Sequence, residues 1–238
     1  MTLSHVRIVG SGLIGSSIGL ALVQRGVAVT MVDSDTRAQA LAQDLVKSSP
    51  SGDPDLIILA SPISSISQSL QGEKSSPVKL GFMDISSVKT KVKVEVSTSG
   101  LDPARFLPTH PMAGREVGGA QSARADLFLD RAWIITPTPE TSEAAKLMVL
   151  EVIAACGAQV VEMSAQDHDA RVALISHLPQ TISSLLAAQL SNSHPEALAL
   201  AGGGLRDTVR IAGSDPKLWG EVLAANEAAL MPLLISLQ

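Results

Sequence analysis

The residues whose types and spacing could do chemistry gather in a few short stretches. One is rich in glycine: Val6-Arg7-Ile8-Val9 runs into Gly10-Ser11-Gly12-Leu13-Ile14-Gly15 and then into the helical stretch Ser16 to Gln24. The others are polar. They are Asp84-Ile85-Ser86-Ser87-Val88-Lys89, Thr109-His110-Pro111-Met112-Ala113-Gly114-Arg115-Glu116, Asp167-His168-Asp169 with Ser176-His177-Leu178-Pro179, and Gly202-Gly203-Gly204-Leu205-Arg206-Asp207-Thr208-Val209-Arg210. Building a sheet or a helix does not call for these polar residues, so each stretch is a candidate for binding or catalysis.

The glycine stretch reads as a dinucleotide-binding fingerprint. Gly10 permits a tight strand-to-helix turn, Gly12 a close approach of backbone to a pyrophosphate, and Gly15 close packing of helix on strand. The phosphates then lie at a helix N-terminus, over the first turn that holds Leu13 and Ile14, where unpaired N–H groups favour an anion. A second strand, Ala28 to Val32, ends in Asp33 at about the twenty-residue spacing the fingerprint requires. Its carboxylate accepts from the adenosine ribose hydroxyls. It would repel a 2′-phosphate by roughly 4 kcal/mol at 4 Å and an effective dielectric near 20, which favours NAD over NADP. Arg37, one helical turn on, could pair with Asp33 or reach a phosphate. The alternative for Asp33 is a cap on the following helix, which Ser34 or Asp35 could equally provide.

His110 follows a predicted strand around Arg105 to Leu107, and imidazole is the side chain suited to accept a proton near neutral pH. The competing account has it capping a loop whose turn Pro111 sets. Arg210 carries a planar fork that matches a carboxylate in two parallel bonds, against the alternative of a surface ion pair with Asp207. His177 precedes Pro179 inside a helical run, where proline removes a hydrogen bond and leaves polar groups near the bend. It could also be a satisfied core histidine. Lys89 reads as orienting Ser87 or Asp84, and His168 as a structural or helix-start residue. His5 and His194 lack a supporting pattern and read as surface residues. No Cys/His or carboxylate spacing suggests a metal site.

The elements that would position these residues alternate. Thr36 to Val46 reads as a helix, and Asp55 to Ala60 is a continuous apolar run of the kind buried on both faces of a parallel sheet. It ends at Ser61-Pro62, on the carboxyl edge where ligands bind. A weak helix from Ile63 to Leu70 follows, then a strand Leu80 to Asp84, strands around Arg105 to Leu107 and Ala132 to Ile135, a helix Ser142 to Cys156 and a strand Gln159 to Met163. This pattern predicts a doubly wound, Rossmann-type α/β domain over 1–163. Asp167 to Leu190, Pro195 to Ala201 and Pro216 to Leu237 are helical in pattern, which predicts an all-α domain over 164–238. So small a domain struggles to bury its own core, so a homodimer is expected.

The 238 residues are 45% hydrophobic and 17% charged with a formal net charge of −5, and they contain no basic run, so nucleic acid is not an expected partner. The single cysteine, Cys156, cannot form an internal disulfide, and no apolar run approaches the roughly twenty residues that span a bilayer. The expectation is a cytoplasmic protein with no membrane partner.

Taken together, Gly10-Ser11-Gly12-Leu13-Ile14-Gly15, Ser87-Val88-Lys89, His110 to Glu116, Ser176-His177-Leu178-Pro179 and Arg206-Asp207-Thr208-Val209-Arg210-Ile211-Ala212 resemble the prephenate and arogenate dehydrogenase family. The resemblance implies oxidative decarboxylation of a cyclohexadienol, in the synthesis of tyrosine, with NAD as hydride acceptor. It implies that His110 is the base, that Ser87 bonds the same hydroxyl, that Arg210 holds the ring carboxylate and that His177 lies at the substrate site. It also brings Glu116, Arg206 and Asp207 near one another, as an ion network at the cleft entrance or as a solvated face. Gln180 departs from the histidine that often follows this Ser-His-Leu-Pro, and Leu205 replaces a usual phenylalanine. The rival readings are a β-hydroxyacid dehydrogenase, disfavoured because Lys217 is the only lysine after Lys146, and a dinucleotide-sensing module without catalysis.

Overall fold

Short apolar runs bounded by turns become the strands of a single seven-stranded sheet. In chain order the elements are β1 (His5–Val9), α1 (Leu13–Gln24), β2 (Ala28–Val32), α2 (Thr36–Val46), β3 (Leu56–Leu59), α3 (Ile66–Glu73), β4 (Gly81–Asp84), α4 (Lys89–Ser99), β5 (Phe106–Pro111), β6 (Ala132–Ile135), α5 (Glu143–Ala155) and β7 (Gln159–Glu162). The computed structural model describes residues 3–48, 50–114, 117–191 and 193–237, and of residues 195 and 197 only the backbone. The strand order is β2-β1-β3-β4-β5-β6-β7. Neighbours run parallel except β5 and β6, which are antiparallel with Thr109 opposite Ile135. The order reverses between β1 and β3, which opens a crevice at their carboxyl ends.

Alternation along β3 explains how the sheet is covered. Leu56 and Ile58 pack into a core with Ile18 and Leu22 of α1, Val46 of α2 and Val149 and Val152 of α5. Ile57 and Leu59 point the other way, into a second core with Ile66, Leu70, Val92 and Val96 of α3 and α4. Successive side chains of a strand face opposite sides, so a run of four apolar residues fits only a strand with helices on both faces. Each of these fully buried aliphatic side chains contributes about 1.5–3 kcal/mol.

The carboxylate of Asp55, ahead of β3, fastens the opposite edge. It accepts from the backbone N–H groups of Ser4 and His5, from the Ser4 hydroxyl, and from Lys79 Nζ at 2.8 Å. Burial alone would raise its pKa, but the Lys79 ammonium and the Ser4 and His5 donors outweigh that and hold it well below the usual carboxylate range. His5 is not a surface residue: it opens β1, is buried, and bonds Thr30 Oγ1 through Nε2 at 2.9 Å. A strand's first residue can be buried when a neighbouring strand supplies a hydroxyl, and burial, helped by Arg7, lowers the pKa of this imidazole. Burial also pushes the Cys156 thiol up to about 12, so it packs as an inert apolar group.

The chain divides into two compact units, Met1–His168 and Asp169–Gln238, so the first extends past Met163 into the helix that follows β7. That helix is α6 (Ala165–Val172), continued by one wide π turn (Ala173–His177) and by α7 (Leu178–Leu190). Then come α8 (Pro195–Ala199), α9 (Gly203–Val209), a 3-10 turn (Arg210–Gly213), α10 (Pro216–Ala225) and α11 (Glu227–Ile235). The final helical stretch is therefore two helices, bent by 90° at Asn226. No single helix among the described residues is long and apolar enough to cross a bilayer.

Candidate functional site

The glycine loop closes the crevice between β1 and β3. Gly10 has φ +114°, and a Cβ there would lie 2.4 Å from the Ala60 carbonyl oxygen and 2.7 Å from Ser61 N. Only glycine fits both the angle and the approach. At Gly15 a Cβ would meet the Gly10 carbonyl oxygen at 2.2 Å, so this residue lets α1 settle against its own loop. A Cβ on Gly12 would meet nothing within 4 Å, which leaves open space over the loop. Gly12 also caps α1 without a side-chain bond, so the first-turn amides at Leu13 and Ile14 are not taken by a capping side chain. Beside them the Ser11 hydroxyl is buried without a hydrogen-bond partner. Uncapped amides, an orphaned hydroxyl and open space fit a pyrophosphate.

Asp33 ends β2 and receives Ser11 N at 2.6 Å and Asp35 N at 2.9 Å, one on each carboxylate oxygen. The cap of α2 is Asp35, which accepts from Arg37 N and Ala38 N, so Asp33 serves the loop and not the helix. Ser61 presents its backbone to Gly10, while its hydroxyl bonds Ser69 at 2.8 Å.

At the ends of β4 and β5 a fully buried ion pair sets the next group. Lys89 Nζ donates to Asp84 Oδ2 and to the Thr109 carbonyl, both at 2.5 Å. Asp84 also accepts from Ser86 N and Thr109 N, and the Thr109 hydroxyl donates to the Asp84 carbonyl while accepting from Trp133 Nε1. A pair so deeply desolvated persists because the carboxylate accepts from Lys89 and two backbone N–H groups and the ammonium donates to a second oxygen. Lys89 orients Asp84, as the sequence implied, and through it the strand that carries His110. Ser87 lies in the same β4–α4 connection, half-buried and immediately before the helix.

His110 lies within β5 and not beyond it, because the strand continues through Pro108 to Pro111. Its Nδ1 is 2.9 Å from His168 Nε2, and the two rings meet edge to face at 5.1 Å. His168 is fully buried. Either imidazole can donate along this bond, so the tautomer of one ring sets that of the other. The sequence marks His168 as a structural hydrogen-bonding or helix-start residue, and the structure supplies its partner. Its signal was an imidazole between two carboxylates at the head of a helix.

In the second unit His177 closes the π turn. Leu178 N reaches back to the Ala173 carbonyl, and the wider turn takes up the proline, whose ring would otherwise strike the carbonyl four residues earlier. His177 is buried, accepts or shares a hydrogen bond with Asn226 Nδ2 at 3.0 Å through Nδ1, and meets Trp219 edge to face. Asn226 Nδ2 also donates to the Asp169 carbonyl at 2.9 Å. The sequence did not announce these bonds of Asn226. Its signal was a lone amide in an apolar helical run. Arg210 is exposed at the start of the 3-10 turn after α9. Glu116 lies outside the described residues. Among the described residues no cluster of metal-ligating side chains occurs.

The structure thus brings Gly10, Gly12, Gly15, Asp33 and Ser61 together in the first unit, and there joins His110 to His168. Residues 18–162 match the nucleotide-binding domain of prephenate dehydrogenase, and residues 164–236 match its dimerization domain. The probable prephenate dehydrogenase NovF of Streptomyces niveus is 34% identical over 228 residues, covering 94% of this chain and 63% of its own length. The cyclohexadienyl dehydrogenase of Zymomonas mobilis is 31% identical, over 97% of this chain and 83% of its own length. The crystal structure of prephenate dehydrogenase from A. aeolicus in complex with hydroxyphenyl propionate and NAD+ superposes with a TM-score of 0.90 at 26% identity, covering 100% of this chain and 87% of that one. A nucleotide loop after β1, an imidazole pair between β5 and α6 and this agreement along both units place the chain in the prephenate dehydrogenase family.

Proposed function

We propose that the protein oxidises and decarboxylates prephenate or arogenate with NAD, as a homodimer in the cytoplasm, in the synthesis of tyrosine. The observation that carries this reading is the bond between His110 Nδ1 and His168 Nε2. With the shared proton on His110 Nδ1, the lone pair of Nε2 is the base, and His168 keeps the ring in that tautomer. His110 takes the carbinol hydroxyl proton as the carbinol hydrogen leaves as hydride, which a nicotinamide bound over the Gly10 to Gly15 loop would accept. The ring carbon–carboxylate bond breaks, its electrons close the aromatic ring, and His110 returns the proton to the phenol oxygen, so protons balance. Ser87 hydrogen-bonds the same hydroxyl. Arg210 and His177 hold the anionic substrate, with a charged hydrogen bond contributing about 1.5–3 kcal/mol. Glu116 is carried over from the resemblance alone, as a further substrate-binding residue. Asp33, fixed by Ser11 N and Asp35 N, disfavours the 2′-phosphate of NADP.

The test is NADH absorbance on adding prephenate or arogenate with NAD, run in parallel. The His110→Asn variant is expected to lose about 10²–10⁴-fold in kcat while still binding substrate. Wild-type protein that turns over neither compound overturns the reading, and His110→Asn with unchanged turnover removes His110 as the base.

A further inference from the structure

Arg210 stands on a segment with little core of its own. Gly202, Gly203 and Gly204 precede it, α9 buries no residue, and neither does the 3-10 turn Arg210–Gly213. Glycines in a short helix weaken it, so something else must hold the guanidinium in one place.

A buried side chain of α7 reaches this segment. Gln180, only 3% exposed, donates from Nε2 to the Ile211 carbonyl at 3.0 Å and to Ser184 Oγ at 3.2 Å. The same carbonyl accepts Ser214 N at 3.1 Å, which closes the turn. The Ile211–Ala212 peptide, one residue beyond Arg210, is therefore tied from within the turn and from α7. Gln180 lies one turn of α7 beyond His177, and Thr181, beside it, donates its hydroxyl to the His177 carbonyl.

We infer that Gln180 is a positioning residue for substrate binding: its amide fixes the Ile211 carbonyl and thereby the stance of the Arg210 guanidinium toward a substrate carboxylate. This rests on the reading of Arg210 as the carboxylate clamp. It gives Gln180, a departure from the family's usual histidine, a task in this chain that does not require contact with substrate.

The test is a double-mutant cycle on the full chain. Gln180→Met keeps length and bulk but removes the donor, and Gln180→Glu removes the amide N–H while keeping a polar side chain in case the methionine variant folds poorly. With prephenate or arogenate, whichever the wild type turns over, either variant is expected to raise KM about threefold to tenfold. The kcat and the KM for NAD should stay within about twofold, and the melting temperature near that of the wild type. In an Arg210→Ala background the same substitution is expected to leave kcat/KM unchanged, because the group it positions is gone. An equal loss in both backgrounds, or an unchanged KM, overturns the inference while the proposed function stands. Turnover of neither substrate by the wild type, or Arg210→Ala with an unaltered KM, overturns the function or the clamp instead, and the inference with it.

Discussion

A histidine that accepts a proton at one ring nitrogen needs its other nitrogen held, or the tautomers exchange and half the molecules present the wrong face. His168 holds Nδ1 of His110 at 2.9 Å from a fully buried position. His168→Phe keeps a ring of similar size and removes the partner nitrogen. The expected result is a fall of about tenfold to a hundredfold in kcat, with an unchanged KM for NAD. An unchanged kcat would show that His110 is oriented by other means. The sequence made His110 and Arg210 legible because each has a chemistry that few residues share. It marked His168 as a structural residue without its partner and hid Asn226, since each acts through a neighbour brought close by folding. Asn226 touches His177 and Asp169 across 49 and 57 residues of chain, a proximity that no local pattern announces.

Among the elements, β3 was legible from four consecutive buried aliphatics, and β6 from its apolar run, whereas β5 was read short. Pro108 argues against a central strand because it cannot donate to the ladder. The structure keeps the strand by giving Thr109 N to the Asp84 carboxylate, and antiparallel pairing to β6 carries it on to Pro111. The bend at Asn226 was hidden, since it goes with a tertiary bond, whereas Pro179 announced a break in its helical run that the structure takes up as a π turn. At the amino-terminal edge of the sheet, burial of His5 and its bonds to β2 and Asp55 have a consequence for pH. Both His5 and Asp55 have folded-state pKa values below their unfolded ones, so the unfolded chain binds more protons and acid favours unfolding. The share from His5 is present above about pH 6.5 and declines below it, and the share from Asp55 declines below about pH 4. Melting temperature measured from pH 7.5 to 5 is expected to fall in the wild type and to fall less steeply in His5→Gln, which does not titrate there. Parallel slopes would remove His5 from the account.

For the whole molecule the informative helix is α7, whose polarity is inverted. The buried line along the π turn and α7 includes His177, Gln180 and Ser183, while Ile175, Ile182 and Leu185 are exposed at 63%, 40% and 59%. A helix of an isolated domain turns its apolar side inward. Here the inner line carries polar side chains, of which His177 and Gln180 are hydrogen-bonded, and the apolar line, with Met231 and Ile235 of α11 also exposed, calls for cover from outside this unit. The match of this unit to a dimerization domain supports our proposal that a second copy covers this face. In a two-fold dimer each side chain counts twice, and burying an aliphatic side chain contributes about 1.5–3 kcal/mol. Replacing Ile182 and Leu185 together by glutamate is therefore expected to weaken self-association by more than about 10³-fold. Light scattering on a sizing column would move from the dimer mass to the monomer mass, and circular dichroism would keep the helical signal. A wild-type protein that runs as a monomer, or a doubly substituted one that stays dimeric, would place the partner on another surface.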